Sequence, residues 1–332
     1  MWEFYGSLNL KRHRMNKRMV SFHVDADSPA KLLKYWGLSD TDYSVKELDR
    51  FYKTAMARAL ELFDKNRIKV TFFCVGDELD ASSAARQMFK ESSCAGHEIA
   101  NHTYSHRFGL GGLGEDELCG EIERCSRAIE KAIGSRPKGF RSPGYDVNNA
   151  VIAALEKMGM EYDSSGFWSI LNVGVKFYHR YFRKDKFIHS GFGDASFRLP
   201  HGPYYPSPLD WQKRSVSGTG DLVELPMPRT RALGLPFYNN FHLIVPSLYR
   251  NIAVETVDRS HFIYLIHLIE FTDLRDGIPK ELNVHPNMNM FLDKKLRLLN
   301  ETIGKIMRRY ESIRTDEFVA EWRGNQPVAP RS

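Results

Sequence analysis

Long apolar runs are missing from this chain. The longest, FIYLIHLIEF, is broken by His267 and Glu270 and falls short of the roughly 18 residues a membrane-spanning helix needs. The opening MWEFYGSLNLKRHRMNKRM lacks the apolar core of a secretory leader. Cysteine is scarce. Cys74, Cys94, Cys119 and Cys125 form no CxxC pair and no dense framework, which excludes a disulfide scaffold and fits a reduced compartment. The expectation from these absences is a cytoplasmic protein without a transmembrane segment. Basic residues form no stripe beyond positions 11–18, and no recognition motif accompanies them, so nucleic acid is not an expected partner. Internal repeats and low-complexity linkers are also lacking.

What is present describes a globular protein. Of 332 residues, 42% are hydrophobic and 27% charged. The net charge of +6 could favour an anionic substrate or a membrane surface, although the stretch KRHRMNKR accounts for much of it. Short apolar runs alternate with amphipathic ones. MVSFHVD, KVTFFCVG, GHEIANHT, KGFRSPG and EYDSS read as strands. ELDRFYKTAMARALELFDKN, AARQMFKES, EDELCGEIERCSRAIEKAIG and NNAVIAALEKMGM read as helices between them, the last capped by Asn148. This alternation implies parallel strands with right-handed crossovers, an α/β sheet or barrel. The rhythm breaks over residues 170–260, which are rich in Tyr, Phe, Pro and Gly. FIYLIHLIEF restores a strand, residues 292–311 read as a helix and EFVAEW as a last strand. The expected organisation is a basic extension (1–18), one domain (19–322) with an insertion at about 170–260, and a tail (323–332).

The stretch GHEIANHTYSH places three of the chain's 12 histidines close together. His102 and His106 are four residues apart, a spacing that can put two imidazoles on one face and hold a borderline cation such as Zn²⁺. Surface histidines would show the same spacing. The partner that favours the metal is VDAD. Asp25 and Asp27 end the first strand, and period-two geometry puts His23 on their face. Two carboxylates at one strand tip repel each other, and a cation relieves the repulsion. VDAD, NHTYSH, FRSPGY, YDSSGFW and His267 all fall at the carboxyl ends of strands, where parallel α/β sheets collect ligands.

With these motifs in this order, the chain resembles the polysaccharide deacetylases, the NodB-type members of carbohydrate esterase family 4. NHTYSH is similar to that family's HTxxH motif, FRSPGY to its Arg-x-Pro motif and YLIHLIE to its leucine–histidine motif. VDAD resembles the paired aspartates of the branch with one intervening residue. The resemblance covers roughly residues 19–168 and 262–322 and implies a distorted or incomplete seven-stranded (β/α) barrel. It implies that Asp27, His102 and His106 bind one divalent metal, Zn²⁺ first, with Co²⁺, Ni²⁺, Fe²⁺ or Mn²⁺ as alternatives. By the same resemblance Asp25 is the general base, Arg141 holds Asp25 ionised and His267 protonates the leaving amine. Gly144 and Tyr145 lie in the oxyanion loop, Trp168 contacts substrate, Asp163 orients His267 or Arg141, and Thr103 steadies the histidine pair.

Ala26 separates the aspartates, so the roles of Asp25 and Asp27 could be exchanged. His23 is an extra polar group in the site or, preferably, a buried structural histidine. His97 reads as structural, and His285 as a loop residue and outside candidate. The expected activity is removal of an N-acyl group, acetyl first, from an amino sugar or glycan precursor. Hydrolysis of a cyclic amide in the manner of allantoinase, or deformylation of a lipid-linked sugar, is the alternative. A homo-oligomer is compatible with the sequence. The aromatics between Trp168 and Trp211 suit sugar rings or a small core of their own.

Overall fold

The computed structural model describes residues 18–39, 43–171, 198–218, 220–230, 234–257, 259–285 and 287–326. The expected extension lies outside them except for Arg18, as do Phe177, Tyr178, Tyr181, Phe182, Phe187, Phe192 and Phe197 of the aromatic-rich stretch.

Seven parallel strands make a curled, open barrel: β1 (Met19–Asp25), β2 (Val70–Cys74), β3 (Glu98–Asn101), β4 (Gly139–Phe140), β5 (Tyr162–Asp163), β6 (Val223–Glu224) and β7 (His261–His267). Their order is β6-β5-β4-β3-β2-β1-β7, and a short β8 (Glu311–Ser312) pairs with the start of β1. Helices α1 (Pro29–Tyr35), α2 (Val45–Lys65), α3 (Gly76–Ala81), α4 (Ser83–Cys94), α5 (Glu115–Ile133) and α6 (Asn149–Lys157) connect β1 to β5. In α2 a capping box between Ser44 and Glu47 starts the helix, and Leu48, Phe51, Ala55, Met56, Leu62 and Phe63 form its buried stripe. The Asn148 side chain accepts the Val151 amide and so caps α6.

β1 is buried on both faces, as parallel strands are. Val20, Phe22 and Val24 join the core under the helices. Ser21, His23 and Asp25 take the other face, inside the curl. The register lines up the strand ends: Asp25 pairs with His267 on one side and Phe73 on the other, Asn101 with Phe140, Phe140 with Asp163, and Asp163 with Glu224. Residues 230 positions apart or more therefore meet at one rim.

Two expectations need correction. The helix expected over 292–311 is α9 (Leu292–Met307), and β8 follows it. EFVAEW is not a strand but part of α10 (Thr315–Gly324). Its acidic first turn, Asp316 and Glu317, suits a helix start, while Phe318 and Val319 plug the inside of the curl and Phe318 stacks on His261 at 3.5 Å. DLVELPM contributes β6 to the main sheet, and α7 (Asn239–Ile244) and α8 (Ser247–Thr256) lie between β6 and β7. Among the described residues no helix is long and apolar enough to cross a membrane.

Candidate active site

Asp27, just beyond β1, and His102 and His106, in the loop after β3, bring one ligand atom each within 4.8 Å of one another. All three are buried. His102 Nδ1 lies 2.8 Å from the Arg141 carbonyl oxygen. A carbonyl can only accept, so Nδ1 carries the hydrogen and Nε2 keeps its lone pair for a metal. The His106 amide donates to Thr103 Oγ1 at 3.1 Å, and the Thr103 amide to Asn101 Oδ1 at 2.8 Å. These bonds hold the loop in a shape that costs backbone energy: Thr103 and His106 both have positive φ, 65° and 56°.

The donor set fits a divalent cation. Burial raises the pKa of Asp27 although His102 and His267 pull the other way, and burial lowers that of His106. His106 Nδ1 has no hydrogen-bond partner among the described residues. A carboxylate beside imidazole nitrogens with available lone pairs is what a cation site needs, and the cation would offset the burial cost of the carboxylate.

Asp25 sits beside this group in a different field. Burial alone would raise its pKa, but the Arg141 charge, with His102 and His267, lowers it overall. Arg141 NH1 donates to Asp25 Oδ1 at 2.7 Å. The other Asp25 oxygen, Oδ2, lies 3.9 Å from His267 Nε2. His267 is backed by Glu270, whose Oε1 is 3.4 Å from Nδ1. Burial works against the imidazolium, yet the bond and charge of Glu270, followed by Asp25 and Asp27, raise the His267 pKa to about 9. One rim thus carries three donors that could hold a metal ion, a carboxylate whose pKa Arg141 lowers and an imidazole whose pKa Glu270 raises.

Residues 45–162 match the polysaccharide deacetylase family model. The chain is 27% identical to a peptidoglycan deacetylase of Helicobacter pylori over 63% of its own length and 64% of that protein. It is 30% identical to chitin deacetylase 1 of Cryptococcus neoformans over 30% of its own length and 21% of that protein. The chain therefore spans less than two thirds of these relatives. A structure described as a polysaccharide deacetylase from Mycobacterium smegmatis overlays with a TM-score of 0.60, at 18% identity and 95% coverage of both chains. Over residues 45–162 the chain is similar to the polysaccharide deacetylases.

The matched stretch holds His102, His106 and Arg141. Asp25, Asp27 and His267 reach them through the sheet register.

Some expected residues stand elsewhere than their assigned roles require. Asp163 accepts from Ser165 Oγ at 2.5 Å, not from Arg141 or His267. Ser165 Oγ in turn accepts the Ser142 amide at 2.8 Å, so Asp163 steadies the FRSPGY loop at one remove. Arg141 itself donates to the Ser164 carbonyl and hydroxyl, both at 2.9 Å. Burial raises the pKa of Asp163 to about 6, and burial, then the charge of Asp163, raises that of its neighbour Glu224 well above the usual carboxylate value. One proton shared between them satisfies Asp163 Oδ2 and Glu224 Oε2, each otherwise without a partner among the described residues.

Gly144 and Tyr145 form the turn after β4, both at positive φ (63° and 59°). The Tyr145 ring packs on Phe167 at 4.9 Å. The Trp168 ring lies 4.6 Å beneath the Arg229 guanidinium carbon, so part of its face is covered. Tyr204 and Trp211 are buried in a small core, with the Tyr204 hydroxyl donating to the Trp211 carbonyl at 2.8 Å. His97 is structural: its Nδ1 accepts the Val70 amide at 3.1 Å. His285 is buried, which lowers its pKa to about 3. Asn239, Ser164 and Tyr238 were not singled out by sequence. Asn239 donates to Glu270, and the Tyr238 ring stands 6.5 Å from that of His267. Only the serine pair of YDSSGFW carried a local signal.

Proposed function

We propose that this protein is a divalent-metal-dependent deacetylase that hydrolyses the N-acetyl amide of an amino sugar in a glycan. The carrying observation is that Asp27, His102 and His106 converge beside an ionised Asp25 and a protonated His267. The names of its relatives point to peptidoglycan and chitin as the class of glycan.

Asp27, His102 and His106 would hold the metal, with Zn²⁺ the first choice for two imidazoles and a carboxylate. A bound divalent cation supplies a more acidic water and a polarised acyl oxygen. Asp25, kept ionised by Arg141, takes a proton from the attacking water. The turn at Gly144 is assigned to the oxygen that gains negative charge, through a backbone N–H. His267, charged by Glu270, gives its proton to the nitrogen as the C–N bond breaks, because an amide leaves poorly as an anion.

The test is acetate release by zinc-reconstituted protein from chitin oligomers, peptidoglycan fragments and N-acetylglucosamine, with Asp25→Asn as the control. Protein that carries metal and releases no acetate from any of them overturns the proposal.

A further inference from the structure

The turn between His102 and His106 is held from outside on both sides. On one side its carbonyls accept. Thr103 takes the Gly76 amide at 3.1 Å and Tyr104 the Asp77 amide at 2.7 Å, both at the start of α3, and Ser105 takes Lys31 Nζ of α1 at 3.2 Å. On the other side two consecutive amides run to a single residue of α5. The Tyr104 amide donates to the Glu121 backbone carbonyl at 3.1 Å. The Ser105 amide donates to Glu121 Oε2 at 2.9 Å, and the Ser105 hydroxyl lies 3.0 Å from both carboxylate oxygens. Glu121 is buried, and these bonds go to the turn, not to a metal donor.

The turn needs such a hold. Thr103 and His106 stand at φ 65° and 56°, a region disfavoured for residues with a Cβ. The backbone angle at His106 decides where its ring points, so relaxation to negative φ would withdraw the ring from Asp27 and His102. The fit is also tight. A Cβ at Gly76 would lie 2.9 Å from Cys125 Cα and 3.1 Å from Tyr104 Cα, so glycine alone lets α3, the turn and α5 meet backbone to backbone. Without the carboxylate, the Ser105 amide and hydroxyl lose the acceptor that the fold gives them.

We propose that Glu121 is a positioning residue for the metal site, locking the 103–106 turn so that His106 meets Asp27 and His102. This rests on the reading of those three residues as metal donors. A carboxylate suits the task because its two oxygens serve two donors of one residue, while the Glu121 carbonyl takes the amide before them. Groups that orient metal ligands from behind tune affinity without touching the ion.

The test is Co²⁺ titration of the full chain after metal is stripped from it, read by visible absorption and by competition with a chelator. The d–d bands of Co²⁺ report the geometry of its ligands. Glu121→Ala is expected to weaken Co²⁺ affinity about tenfold to a hundredfold and to alter the bands. Glu121→Gln, which keeps one acceptor oxygen, and Ser105→Ala, which keeps the amide bond, should each weaken it less. Ser44→Ala is the stability control. It removes the cap of α2 and should lower the melting temperature while leaving affinity and bands unchanged. If circular dichroism shows Glu121→Ala unfolded, Glu121→Gln and Ser105→Ala carry the same comparison with the control. Glu121 variants that match wild type in affinity and bands, or that change them no more than Ser44→Ala does, overturn this inference alone. Wild type that takes up no Co²⁺ overturns the metal reading and this inference with it. None of these readouts uses turnover.

Discussion

Arg141 donates from NH2 to Nδ1 of His23 at 2.6 Å while its NH1 holds Asp25. That contact fixes a direction for a longer chain. Burial and the Arg141 charge keep His23 neutral, and Nδ1 accepts, so Nε2 carries the hydrogen and donates to Thr315 Oγ1 at 2.7 Å. The Thr315 hydroxyl then donates to Thr71 Oγ1 at 2.8 Å, and Thr71 to Glu98 at 2.7 Å. Every link runs one way, from the guanidinium to a buried carboxylate, and positions Arg141 from behind.

The first prediction follows from that chain. His23→Leu leaves a buried guanidinium N–H without its acceptor, at a cost of about 1–3 kcal/mol, and frees Arg141 to turn from Asp25. His23→Gln can still offer an oxygen. Melting temperature should fall in both variants, but kcat should fall further in the Leu variant than in the Gln variant, with KM little changed. Equal kcat losses in the two variants would show that His23 is only a packing residue.

The second prediction separates the aspartates. Asp25→Asn should retain metal and lose activity by roughly 10²–10⁴-fold, the contribution of a general base. Asp27→Asn and a His102→Ala, His106→Ala double variant should lose the metal. Elemental analysis of each protein, read beside acetate release, decides it. The opposite pattern for the two Asn variants exchanges their roles, as the intervening Ala26 allows.

Much of this site was legible because strand ends are legible. VDAD, NHTYSH and FRSPGY each follow an apolar run that stops, and the parallel register carries all of them to one rim. Asn148 announced its helix by the same local logic. What the sequence could not show was tertiary choice. Phe318 and Val319 look like strand residues until the inside of the curl is seen to need a plug, which α10 supplies. Glu270 is three residues from His267, yet its role depends on Asn239, on a separate helix. Asp163 looked like a partner for Arg141. Its neighbour Ser164 took that place, because the Ser164 carbonyl and hydroxyl both point at the guanidinium.

The third prediction concerns pH. Tyr52 has one phenolic hydrogen but two nearby acceptors, the Ala26 carbonyl at 2.8 Å and Glu78 Oε2 at 2.5 Å. A protonated Glu78 resolves this by donating to Tyr52 while Tyr52 donates to Ala26, the residue between the two aspartates. Burial raises the Glu78 pKa from 4.5 to about 7, against the pull of Lys31. The folded state therefore holds this proton more tightly than the unfolded one. The stabilisation is full below pH 4.5 and is lost as pH rises to about 7, a change of about 3 kcal/mol. Denaturant melts from pH 4.5 to 7.5 should show Glu78→Gln gaining about that much relative to wild type as pH rises. A stability difference independent of pH would mean that Glu78 is ionised throughout.

The fourth prediction tests the acid. His267 faces Asp25 on one side and Glu270 on the other, and none of the metal-set atoms belongs to it. His267→Ala should therefore keep metal. It should slow amide substrates far more than aryl esters of the same acyl group, whose phenolates leave without a proton. Glu270→Gln should move the ratio the same way by a smaller factor, since Gln keeps an acceptor oxygen for Nδ1 but not the charge that holds the proton on the ring. A purely structural His267, bonded to Glu270 inside an apolar strand, would instead lower the melting temperature and depress amide and ester turnover together. Steady-state rates on a matched N-acetyl and aryl-ester pair, with melting curves on the same protein, tell these apart. An amide-to-ester ratio unchanged from wild type ends the assignment of His267 as the proton donor.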